Sequence, residues 1–341
     1  MKSKKLKNLA AFVAFLLIVA AVFSLLSYVL RDKRYAANAV VIYKEPKDSI
    51  DVLLVGSSHM LNGVFPMELW RTQGIAAANM AQNGQIIPET YYALMESFRY
   101  QSPRVVVLDV YKMVESARMG LTVSFHFTVD SMRLGAPKLK AVFDLVPEEQ
   151  RAEYLIDIIA YHTRWKELTA ADFRPLDASM KGSEALFSVY SNADYEIPAQ
   201  SETAQLNETA LSYLEKIIAL CGEHGAQLVL TALPFGDAHE DAIPRQQTAN
   251  AVEQYAREHG IPFLNYIYLN DETGLDMAAD FANIDHLNAR GAVKISQHLA
   301  GYLKENYDLP DRRDDGAYRA WNDDCVSYEQ MLKDGWGAEA K

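Results

Sequence analysis

Two kinds of apolar pattern run along this chain. The first is a single long run from Asn8 to Leu30, 23 residues of Ala, Val, Leu, Ile and Phe with few polar interruptions and no charge. A bilayer-spanning helix needs about 20 such residues, so the run predicts a transmembrane helix. It ends Ser27-Tyr-Val-Leu30 before Arg31 rather than in a small-x-small site, which favours an uncleaved anchor over a cleaved signal peptide.

The second pattern is a series of short apolar runs that end in Gly, Pro or Asp and alternate with amphipathic stretches. Val52-Leu-Leu-Val55, the segment from Gly74 to Met80, Arg104 to Val110, Gln227 to Leu233 and Pro262 to Asn265 are the predicted strands. Between them, helical spacing is predicted from Pro66, from Pro88 to about Tyr100, over 208–224, over 244–259 and over 290–305. Strand, helix, strand in regular order is the pattern of an α/β domain with a central parallel sheet of about five strands.

The alternation breaks at both ends and in the middle. Residues 31–49, with Pro46, are expected to form a stalk between the anchor and a domain spanning 50–305. Residues 112–204 lack convincing strands and are expected to be a mostly helical insertion over the strand ends, its best helical pattern at 148–162. Tyr161-His-Thr-Arg-Trp165 is a candidate recognition surface within it, and aromatic packing is the competing reading. The tail, 306–341, has weak periodicity.

Composition narrows the partners. A formal net charge of −12 over 341 residues, with no basic stripe past the amino terminus, argues against nucleic acid. Lys2, Lys4, Lys5 and Lys7 precede the span and Arg31, Lys33 and Arg34 follow it. This small asymmetry predicts a cytoplasmic amino terminus and an extracytoplasmic body at the cell membrane. Cys221 and Cys325 can pair or remain thiols, and no His and Cys pairs fall at metal-ligand spacing, so neither a metal nor a cofactor is expected.

Chemistry concentrates at two strand ends. Gly56-Ser-Ser-His59 follows the first strand, and ligands in open α/β sheets sit beyond the carboxyl ends of strands. Ser58 is therefore a candidate nucleophile, against the ordinary reading of a serine that caps a helix. His286, in Asp280-Phe-Ala-Asn-Ile-Asp-His-Leu-Asn288 before the last strong helix, is the candidate base. His59, beside the nucleophile, is expected to be structural or to line the substrate site.

With those residues the sequence resembles the SGNH/GDSL hydrolase superfamily, whose first block, Gly-Asp-Ser, is matched by Gly56-Ser-Ser58. The resemblance implies a flavodoxin-like three-layer sandwich, Ser58 as nucleophile, and an oxyanion hole from the N–H groups of Ser58 and Gly84, or with help from Asn83. The last block, Asp-x-x-His, is matched by Asn283 and His286, so Asn283 stands where the family has aspartate. Asp285 or Asp280 is the alternative source of charge for His286. The third block, Gly-x-Asn-Asp, is replaced by Leu108-Asp-Val-Tyr111.

The anchor makes the chain similar to the membrane-anchored branch of that superfamily, which includes the teichoic-acid D-alanyl transfer protein and exopolysaccharide O-acetyltransferases. This implies a serine O-acyltransferase or esterase acting on a cell-envelope glycan or teichoic acid, with a multispanning membrane O-acyltransferase as a partner. Two other classes remain open: a non-catalytic SGNH-fold binding or scaffold protein, and an anchored lipid esterase with an apolar acyl groove.

Overall fold

The computed structural model describes residues 2–33, 37–113, 123–190, 199–236 and 242–339. Arg34 and parts of the insertion and tail lie outside that set. Five strands, β1 (Val52–Val55), β2 (Ala77–Asn79), β3 (Val105–Asp109), β4 (Gln227–Ala232) and β5 (Phe263–Asn265), form one parallel sheet in the order β2-β1-β3-β4-β5. This is the flavodoxin-like order expected, and it reverses direction between β1 and β3, where such folds open a crevice for ligands.

Strand pleating divides the core. Leu53 and Val55 of β1, Val106 and Leu108 of β3, and Leu228 and Leu230 of β4 face one layer. Val52, Leu54, Val105, Val107 and Val229 face the other. α1 (Lys2–Leu30) precedes the domain, and α2 (Ala37–Lys44) packs Val41 and Ile42 into the first layer. α3 (Ser58–Gly63) and α4 (Pro66–Gln73) lie in the second layer, and α5 (Ile87–Ser97) lies in the first.

The insertion carries α6 (Val123–Val129), α7 (Ala136–Leu145), α8 (Arg151–Leu155) and α9 (Asp157–Tyr161). α10 (Glu208–Glu223) and α11 (Ala242–Glu258) close the first layer. The short α12 (Asn270–Thr273) precedes α13 (Ala289–Asn306), which closes the second, and α14 (Arg319–Glu339) ends the chain.

Three expectations differ from what folds. Residues 37–49 of the expected stalk do not hang free: Gln101 donates to the carbonyls of Ile42 and Pro46 and accepts from the N–H groups of Ser49 and Ile50, which fastens them to the domain. The 148–162 pattern is broken at Ile156, whose extended backbone separates α8 from α9 and leaves Asp157 paired with Arg31 at 2.6 Å. Periodicity does not register such a long-range ion pair.

The tail is integral. Trp321 and Tyr328 are buried with Phe65 and Trp70, Arg312 makes a two-pronged ion pair with buried Asp51, and Tyr328 donates to buried Glu68. Trp321, Cys325, Tyr328, Leu332 and Trp336 recur at helical spacing along α14, a face that the reading of weak periodicity missed. Cys221 of α10 and Cys325 of α14 are free, and burial pushes the Cys221 thiol up to about 12.

The turn out of β1 requires glycine. Gly56 has φ of +144°, and a Cβ there would lie 3.0 Å from Asp109 Cβ and 3.3 Å from its carbonyl oxygen. Gly56→Ala is expected to cost about 1–3 kcal/mol, measured as a lowered Tm on thermal unfolding. An unchanged Tm would mean that the turn can shift away from β3.

Candidate active site

Ser58 is the first residue of α3, and the N-cap position belongs to Ser57, whose side chain makes no capping hydrogen bond. The capping alternative for Ser58 therefore fails. Its hydroxyl instead meets the ring of His286, with Oγ and Nε2 2.7 Å apart across 228 positions of sequence. All five strands run parallel, so their carboxyl ends share one edge of the sheet, and the loop between β5 and α13 reaches along that edge to the β1 turn.

The His286 loop is braced on several sides. Phe281 and Leu287 form an antiparallel bridge, and the N–H of Ala282 donates to the carbonyl of His286 at 2.8 Å. Asn288 caps α13 by accepting from the N–H groups of Arg290 and Gly291, while its amide donates to the carbonyls of Ala279 and Phe281. From the insertion, the N–H of Tyr190 donates to the carbonyl of Phe281, and Ser188 donates to that of Ala282.

Asn283 orients the ring. Its Oδ1 lies 3.1 Å from His286 Nδ1 and also accepts from the N–H groups of Asp285 and His286, both at 2.9 Å. Two backbone donors fix which end of the amide faces inward. An oxygen so placed calls for a proton on Nδ1, leaving the Nε2 lone pair toward Ser58. The two neighbouring acids take different partners. Asp280 is buried in an ion pair with Lys294 at 2.6 Å, and Asp285 accepts from the Tyr111 hydroxyl at 3.0 Å.

His59 is 3% exposed and stacks on Tyr111 with ring centroids 3.3 Å apart, 5.1 Å from the ring of His286. Burial makes it a packing residue behind the histidine rather than an open lining of the site. Gly84, with φ of +69°, sits in the turn after β2, and the N–H of Gln82 in that turn donates to the carbonyl of Gly56. That bond ties the turn carrying Asn83 and Gly84 to the end of β1. A Cβ on Gly84 would lie 3.1 Å from Ser124 Cβ, so α6 covers this turn.

Three residues at the site were not foreseen. Asp109, where the third block would provide an amide, is buried and accepts from the N–H groups of Leu233 and Tyr111, tying the end of β3 to the chain leaving β4. Burial pushes its carboxyl up to about 7. The Arg245 guanidinium lies 4.0 Å and the Lys112 ammonium 5.5 Å from the Tyr111 ring centroid. A buried acid at a strand end could have marked Asp109, and Lys112 follows Tyr111 directly, but no local pattern marks Arg245, which comes from a remote part of the chain.

No family model matches this chain, and no curated protein does. Among solved structures, a GDSL-like lipase from Bacteroides thetaiotaomicron is similar over 80% of this chain and 98% of its own, at 13% identity and a TM-score of 0.40. A protein assigned as an acylhydrolase from Bacteroides fragilis is similar over 80% of this chain and 95% of its own, at 11% identity and a TM-score of 0.38. An acetyl xylan esterase from the rumen bacterium Butyrivibrio proteoclasticus is similar over 76% of this chain and 65% of its own, at 12% identity and a TM-score of 0.29. Likeness this loose transfers no residue role to the chain.

The electrostatics suit a base that stays neutral. Burial is the largest influence lowering the His286 pKa below its ordinary value of 6.5; Asp285 opposes it, and Lys112 and Arg245 add to it. A depressed pKa keeps the imidazole unprotonated into mildly acidic solution, so the acid limb of a pH–rate profile is expected below pH 6.5. Lys112→Met removes a charge that disfavours imidazolium and should move that limb up. Asp285→Asn removes one that favours it and should move the limb down. Profiles of kcat/KM for the two variants that shift in the same direction would contradict this account.

Proposed function

We propose that this protein is a membrane-anchored serine enzyme of the SGNH/GDSL type that transfers or hydrolyses O-acyl groups of an extracytoplasmic cell-envelope glycan or teichoic acid. The observation that carries the chemical part is the 2.7 Å contact between Ser58 Oγ and His286 Nε2, completed by Asn283 at Nδ1. The anchor rests on α1, whose stretch from Lys4 to Leu30 is long and apolar enough to cross a membrane. The envelope glycan, and a multispanning acyltransferase as partner, rest on the resemblance of motif and anchor to the branch described above.

The reaction runs in two halves. Nε2 of His286 takes the Ser58 proton as Oγ attacks the acyl carbonyl, and the resulting oxyanion is held by the N–H groups of Ser58 and Gly84. Imidazolium then gives its proton to the departing alcohol oxygen, leaving a seryl ester. Water or a sugar hydroxyl, deprotonated by the same nitrogen, attacks the ester and restores Ser58. Asn283 holds the ring throughout, and the neutral amide stabilises imidazolium less than a carboxylate would.

The test is intact mass of the full chain in detergent after exposure to a serine-reactive fluorophosphonate. One adduct, mapped to Ser58 and missing from His286→Ala, is the expected result. No adduct on folded protein would overturn the reading in favour of a non-catalytic glycan-binding or scaffold protein, which the replacement of the third-block amide by Asp109 favours.

A further inference from the structure

The sequence leaves the body tethered by a stalk, but the exit of α1 is gripped by the insertion. Arg164 donates to the carbonyls of Leu30 and Arg31, at 2.7 and 2.5 Å, and Arg31 pairs with Asp157 at 2.6 Å. Tyr28 donates to the carbonyl of Arg174 at 2.8 Å, and Lys33 donates to the carbonyl of Asp172. Asp172 is itself held by Arg164 at 3.0 Å and caps the turn from Thr169. These contacts join the last turn of α1 to residues 157–174 with no free linker between.

That junction determines where the neighbouring side chains must lie. At ~1.5 Å per residue the apolar run of α1 is about 35 Å long, against a hydrocarbon core of about 30 Å, so Leu30 falls at the lipid–water boundary. Trp165, next to the arginine bonded to Leu30, is 64% exposed, and Phe173, next to the Asp172 that Arg164 holds, is 62% exposed. Ile156 and Ile159 flank Asp157 at 38% and 44%. Large apolar side chains are left uncovered around the point where the chain leaves the membrane.

We propose that this face of the insertion, built on Trp165, Phe173, Ile156 and Ile159, rests in the interfacial layer of the bilayer and holds the body against the membrane. The occupant is lipid because the surface is continuous with the end of α1 and has the make-up of an interfacial belt. Trp165 and Tyr28 supply amphipathic rings, with the Lys166 ammonium 5.6 Å from the ring of the first and that of Lys33 3.7 Å from the second. The candidate recognition surface at Tyr161 to Trp165 thus becomes a lipid contact: Tyr161 donates to buried Asp130 and Arg164 faces α1, which leaves Trp165 outermost.

This inference rests on the anchored reading of α1, and the experiment separates the two. The full chain is reconstituted, without any partner protein, into vesicles whose lipids are brominated near the headgroup end of the acyl chain, and tryptophan quenching is measured. Of the other tryptophans, Trp70 and Trp321 are buried, and Trp336 packs on Phe187. Trp165→Phe should therefore lose most of the lipid-quenchable fluorescence, and adding Phe173→Trp to that variant should restore it. Resistance of the vesicle-bound chain to alkaline extraction tests α1 by itself.

Quenching that is absent, or unchanged in Trp165→Phe, in protein that resists extraction would overturn the lipid contact and leave the anchor standing. A face reserved for a membrane protein partner would give this same result. Release by alkali would overturn both. Because Trp165 and Phe173 are exposed, neither substitution removes a core contact, and a matching Tm confirms that the variants are folded.

Discussion

Ser58→Ala is expected to lower ester turnover by about 10³-fold or more while leaving Tm unchanged. The hydroxyl is the atom in hydrogen-bond contact with His286 Nε2, and no other side chain on the β1 turn is so placed: Ser57 is buried at the N-cap, and His59 is stacked on Tyr111. Alanine keeps the Ser58 backbone N–H, so part of the oxyanion hole survives and a residual rate over water remains. The check is a single-turnover assay with an activated aryl ester, run beside thermal unfolding. Retention of more than about a tenth of the wild-type rate would remove Ser58 as the nucleophile.

Asn283→Ala should cost about 10²-fold or more in kcat, because it frees the ring of His286 and leaves two backbone N–H groups without their acceptor. Asn283→Asp is the informative companion. Replacing aspartate by asparagine in a serine triad can fail by imposing the wrong histidine tautomer. Here the backbone donors already turn the amide oxygen inward, so the tautomer is correct and the missing quantity is charge. The carboxylate should therefore preserve or raise kcat and move the acid limb to higher pH, since a nearby negative charge favours imidazolium. A loss of less than about twofold in Asn283→Ala would mean that the ring is oriented by its backbone and neighbours alone.

These two outcomes bear differently on the SGNH reading. Ser58 tests whether there is a reaction at all, whereas Asn283 tests how a triad functions with a neutral third member. Together with the opposite pH shifts expected for Lys112→Met and Asp285→Asn, they separate the orienting residue from the charges that surround it.

Local pattern was enough to determine the α/β class, the five strands and the apolar span, because each depends on burial that repeats every two, or every three to four, residues or on unbroken apolar length. Turn residues at strand ends also singled out Ser58 and His286 as candidates, the family resemblance added Gly84, and the fold brings the first two into contact. What pattern left open were choices among residues of similar chemistry. Asn283, Asp285 and Asp280 lie within six positions, and only packing directs the first to the imidazole, the second to Tyr111 and the third to Lys294. The same holds for Arg245 beside the Tyr111 ring, and for Arg31 and Arg164 at the foot of α1. An ion pair or a stacked cation has no period and depends on two distant segments arriving at one point, so it exists only in the folded chain. The stalk expected from sequence became a docked segment for that reason, since Gln101 holds its described part, and the tail, for which packing and mobility were both open, is held through Asp51 and Glu68.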